Sequence, residues 1–139
     1  MKNDRGSLAL ELAIVSPALI AMLIFAIAVG RVAIATGSIE AAARDAARQA
    51  SIARDPSTAR SAALSSAQEA LAQEGLNCSP SVTVDTHEFA KPVGVPAIVT
   101  ATVECEVLLS DLSLPGIPGS KRLSSTFSSP LDPFRARSR

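Results

Sequence analysis

Residues 7–30 read SLALELAIVSPALIAMLIFAIAVG and carry one charged side chain, Glu11, and one proline, Pro17. As a helix this run would reach about 36 Å, enough to cross a bilayer. It therefore dictates a membrane-compatible helix at the start of the chain, and everything else must be built onto its end. Glu11 is the anomaly. A carboxylate inside an apolar helix costs up to ~3 kcal/mol depending on depth, so its presence asks for a return.

Three readings of the run compete. A removable secretory signal fits the basic start, Lys2 and Arg5, but a Glu opposes insertion and the run exceeds the usual apolar length. A plain single-pass anchor explains the length and leaves Glu11 without purpose. The third reading explains both. In "RGSLALE" a short charged leader ends at Gly6, and Glu11 is the fifth residue after it. That arrangement resembles the processing site of type IV prepilins. The resemblance implies cleavage between Gly6 and Ser7 by a prepilin peptidase, with the apolar helix staying on the mature chain. A residue without a side chain at the cut lets the scissile backbone approach a protease closely.

The stretch "GSLALELAIVSP", with Pro17 six residues after Glu11, is similar to the TadE-like family of Flp/Tad pilus systems. The "AAARDAARQASIARDP" that follows and the "PLDPFR" near the end also resemble that family. Leu12 departs from the family's frequent Phe, a swap between large apolar side chains. The resemblance implies a small structural pseudopilin, not an enzyme, without cofactor or metal. Its implied partners are the peptidase, membrane lipids, and other pilins met through the N-terminal helix. It also implies that Glu11 pairs with the new α-amino group of a neighbouring subunit and so sets helix register. The implied localisation is the cytoplasmic membrane, with the N-terminus cytoplasmic and the head outside, and with incorporation into a surface pilus as one outcome. Charge bias alone leaves orientation open, because Lys2 and Arg5 face Arg31, Arg44 and Arg48 across the run.

Beyond Gly30 nothing stops the helix. The Ala-rich segment to Arg54 places Glu40 and Arg44 as an i,i+4 pair and predicts one long helix ending at Asp55-Pro56. Asp55 can cap a second helix with Pro56 at its first position, running to about Glu74 and stopped by Gly75. Leu64, Ala67 and Leu71 are its expected apolar face. Past Gly75 the period changes. "SVTVD" reads as a short strand, and "PAIVTATVECEVLL" alternates strictly. Val99, Ala101, Val103, Cys105, Val107 and Leu109 point one way, and Thr100, Thr102, Glu104 and Glu106 the other. "KPVGVP" and "SLPGIPGSK" read as loops, "RLSSTFS" as a third strand, and "SPLDPFRARSR" as irregular. The fold class is α+β: a long N-terminal transmembrane helix continuing into a soluble one, a second helix and a small antiparallel sheet. The expected division is leader 1–6, transmembrane helix 7–30 and extracytoplasmic head 31–139.

The apolar fraction is 47%, yet aromatics are only 3%. Alanine buries little area, so the head has a thin core that needs a staple or an assembly. Cys78 and Cys105 supply a candidate disulfide if the head is exported, and free buried thiols if it is not. His87 shares an expected strand face with Asp85, which makes a weak metal or acid–base site conceivable, but an exposed strand histidine beside ordinary surface charges is the better account of it. Ala26 and Gly30 form a small-x-x-x-small pair compatible with close helix packing. Zero net charge gives no basic surface for nucleic acid. Arg135, Arg137 and Arg139 form a short solvated tail that could also meet an acidic partner or lipid surface. Two competing functions remain: a membrane-anchored or secreted extracytoplasmic binding domain, and a small extracytoplasmic enzyme using His87.

Overall fold

The structure is a computed structural model that describes residues 4–110 and 119–134, with side chains from residue 11 onward. Helix α1 spans Asp4–Ile52 and passes without a break from the apolar run into the Ala-rich segment. It ends at Ile52, four residues before Pro56, where the chain turns. Pro56 disfavours helical backbone at the residue before it, and Asp55 is extended at φ −137° and ψ 157°. The Asp55 carboxylate then caps α2 (Pro56–Gln73). Its Oδ1 accepts from the Thr58 amide at 2.8 Å and from the Ser57 hydroxyl, and its Oδ2 accepts from the Thr58 hydroxyl at 2.7 Å. Led by the Ser57 hydroxyl, these donors pull the Asp55 pKa down to about 2. At the other end Gly75 takes φ 72°, and the Leu76 amide returns to the Leu71 carbonyl at 3.0 Å, a left-handed closure that a side chain at residue 75 would strain.

The sequence expectation for α2 needs one correction. Its buried residues are Ala59, Ala63, Ala67 and Leu71, while Leu64 is 39% exposed. Residue 64 lies about 100° round the helix from residue 63. The buried stripe of α2 is alanine at three of its four positions, and it shares one buried cluster with Ala42, Ala43, Ala46, Ala47 and Ala50 of α1, on which α2 packs. Small residues on both helices let the backbones approach closely, so the interface selects for the lack of bulk that made these positions inconspicuous.

The sheet has three antiparallel strands in the order β1 (Ser81–Asp85), β2 (Ala97–Leu108) and β3 (Ser120–Leu131). Val84 stands opposite Ala101, Ala101 opposite Phe127, and Cys105 opposite Leu123. The inward row of β2, from Ala97 through Val107, is buried against the helices. Leu109 lies just past the strand and is only half-buried. The outward row is polar, and two cross-strand hydroxyl pairs tie it together: Thr100–Ser128 at 2.8 Å and Thr102–Thr126 at 2.9 Å. The core is therefore a single layer between two helices and one sheet face, more alanine and valine than anything larger.

Strand β3 runs further than expected and includes Ser129, Pro130 and Leu131. Pro130 is tolerated because β3 is an edge strand and its partner Ile98 sends its amide elsewhere, to the Glu88 carboxylate at 2.6 Å. The "SLPGIPGSK" loop falls largely on residues 113–118, and the Arg135–Arg139 tail falls wholly beyond residue 134; both lie outside the described residues.

Candidate functional site

From Leu12 to Val29 the surface of α1 is apolar on all sides. Leu12, Ile14, Leu19, Met22, Leu23 and Phe25 are all more than half exposed and point in different directions round the helix. A helix that is hydrophobic all round belongs in lipid or among other helices, because water would oppose every face of it. Glu11 lies at the start of this surface and is exposed on it. The next charged residue is Arg31, about 30 Å further along the axis, so no cation on α1 downstream can reach the carboxylate. Gly6 and Ser7 lie in the first turns of α1. Pro17 sits inside the helix. Having no amide hydrogen, it leaves the Ala13 carbonyl without its helical donor. Gly30 has open space where a side chain would be and Ala26 is exposed, so among the described residues the Ala26–Gly30 pair is left uncovered.

The two cysteines come together. Cys78, in the loop after α2, is joined to Cys105 on β2, with Cα atoms 6.0 Å apart. Cys105 is buried and Cys78 half-buried. The bond closes a loop of 27 positions, worth about 3.5 kcal/mol on the chain-entropy account, a large share of the stability of so thin a core.

The structure separates the residues of the supposed His87 site. β1 ends at Asp85, and His87 opens a short 3-10 helix, His87–Ala90, with its side chain exposed. Asp85 and His87 meet only through a local turn, in which the His87 amide donates to Asp85 Oδ1 at 3.0 Å. Among the described residues no three His, Cys, Asp or Glu side chains gather in a way that could hold a metal.

Two residues that the sequence pattern did not single out organise this connection. Phe89 is 1% exposed and plugs the core from the 3-10 helix. Glu88 accepts from Lys91 Nζ and from the Ile98 amide, both at 2.6 Å, and these bonds, Lys91 first, hold its carboxyl below the usual glutamate range. An isolated aromatic in a polar stretch was the only available signal for Phe89. Glu88 had none, since its partner is ten residues away.

Comparison with curated proteins and with solved structures returns no match. The family model of TadE-like proteins matches residues 6–48. That span begins at Gly6, takes in Glu11 and Pro17, and ends inside the half of α1 that packs on α2. Residues 6–48, which take in the apolar helix and its continuation into the head, are thus similar to TadE-like proteins.

Proposed function

We propose that the protein is a structural pseudopilin of a Flp/Tad-type pilus or a related secretion apparatus, anchored by α1 and processed by a prepilin peptidase. The observation that supports this most is the placement of the TadE-like match on a helix that is apolar all round and broken by one carboxylate. In this reading residues 1–6 are the leader, 7–30 span the cytoplasmic membrane, and 31–139 form the extracytoplasmic head. The first turn of α1 is a helix end with glycine in it, which opens at low cost to present the Gly6–Ser7 bond.

The role is one of assembly. Cleavage creates a positive charge at Ser7, and in a bundle of staggered helices Glu11 of one subunit meets that amine on its neighbour. A buried pair of this kind adds little net stability, because both charges are desolvated, but it penalises every register that leaves the carboxylate alone. Glu11→Leu should insert in the membrane and still be cleaved, yet lose association with partner pilins. Glu11→Gln should be nearly as defective. Co-purification with partner pilins and fibre counts check this; a Glu11→Leu protein that assembles like the parent removes the register role.

A further inference from the structure

Where α1 leaves its apolar run, the chain folds back on itself. α2 returns along α1, Gly75 stops it, and Leu76 is turned toward α1. Between them lies a cleft of about 320 Å³, with Arg31, Ile34 and Ser38 on one wall and Glu74 and Leu76 on the other. Its height on the helix is set by the sequence. From Glu11 to Arg31 the axis rises about 30 Å, the thickness of a bilayer's hydrocarbon core. With that run in the hydrocarbon, Arg31 emerges at its boundary, Ile34 stands about 5 Å further out and Ser38 about 10 Å. Arg31 and Ile34 are then level with the lipid headgroups, which add roughly 5–7 Å on each side of the core, and Ser38 stands just beyond them.

The cleft carries one charge of each sign. Arg31 on α1 and Glu74 at the end of α2 enter no ion pair with each other or with any other group among the described residues. Ile34 is 69% exposed beside them and gives the cleft an apolar wall. The Ser38 hydroxyl donates its one hydrogen to the Ile34 carbonyl at 3.1 Å, so Arg31 is the side chain of this cleft left to donate to an anionic ligand and Glu74 the charged group left to accept.

We propose that this cleft binds the headgroup of a phospholipid that carries both a phosphate and a primary ammonium. Arg31, the lining residue nearest the span, takes the phosphate by charge-assisted hydrogen bonds, and Glu74 takes the ammonium. A glycerol headgroup has no cation for Glu74, and its net negative charge is repelled there. A choline headgroup has a cation but no N–H to donate to the carboxylate. The proposal rests on the membrane-anchored reading above, since only that places the cleft at headgroup depth. An interfacial arginine acting alone would hold any phosphate and would not depend on Glu74.

The test is native mass spectrometry of the full chain in mild detergent with equimolar phosphatidylethanolamine, phosphatidylcholine and phosphatidylglycerol. Phosphatidylethanolamine should be retained about fivefold or more over the other two. Arg31→Ala should lower retention of all three lipids. Glu74→Gln should erase the preference while leaving binding, and Glu74→Lys should move it to phosphatidylglycerol. Equal retention of the three lipids, or a preference that survives Glu74→Gln, overturns the proposal. Alkaline carbonate extraction of the same variants tests the anchor separately. A chain that stays in the membrane without lipid preference removes this inference alone, whereas one that is extracted removes the anchored reading with it.

Discussion

Asp55 shows how one side chain decides the turn between the two halves of the head. Its carboxylate accepts three hydrogen bonds at the start of α2, and its pKa falls to about 2. A folded-state pKa below the unfolded one means that the group stabilises the fold above the ordinary aspartate range and that this contribution is lost as pH falls through about 2. Thermal unfolding followed by circular dichroism between pH 6 and pH 2 should therefore show a steeper loss for the parent than for Asp55→Asn. Asparagine still caps the helix but carries no charge to lose. Glu88 titrates in the same direction in both proteins, so it cancels in the comparison. Coincident pH profiles for the two would mean that the Asp55 charge contributes nothing to the cap. This residue was legible from its neighbours alone, because Asp before Pro at the end of an Ala-rich run has one strong local use. Glu88 was not legible, because what it holds is the amide of Ile98 across a connection whose path only the folded chain reveals.

At the scale of elements, β2 was the most readable part of the chain. Its strict alternation is a direct consequence of one face being buried and the other wet, and the burial pattern follows it residue by residue. Helix α2 was readable at its ends and in part on its face. Ala67 and Leu71 are buried as expected, but Leu64, which drew attention by size, is not, and Ala59 and Ala63 complete the buried stripe. Two helices that meet through alanine leave no room for a larger residue, so enlarging a small side chain should do more damage than trimming a large one. Ala63→Leu is expected to destabilise the head by about 1–3 kcal/mol. Leu64→Ala should cost less than ~1 kcal/mol, because that side chain is only partly removed from water. Urea unfolding of the detergent-solubilised protein gives both numbers, and the reverse ranking would restore the face expected from the sequence. Strand β3 was underestimated for a related reason. Pro130 reads as a breaker, but at the edge of a sheet, opposite a residue whose amide is bonded elsewhere, it breaks nothing.

As a whole molecule the chain is built on a 49-residue helix whose residues 11–27 are exposed and whose second half supplies one wall of a small head. The anomaly of a carboxylate in an apolar run was visible from the sequence and carries the functional reading. The cleft at Arg31 and Glu74 was not, because it exists only once α2 folds back and Gly75 turns Leu76 toward α1. What separates a processed pseudopilin helix from a signal sequence or a plain anchor is where the mature chain begins. Intact-mass and N-terminal determination on the protein recovered from membranes measures that directly. The account predicts a chain starting at Ser7, still bearing the apolar helix, and a leader that remains attached in Gly6→Val. A mature start near Arg31 would contradict it, since the helix would then be a discarded signal and Glu11 would never meet a neighbour.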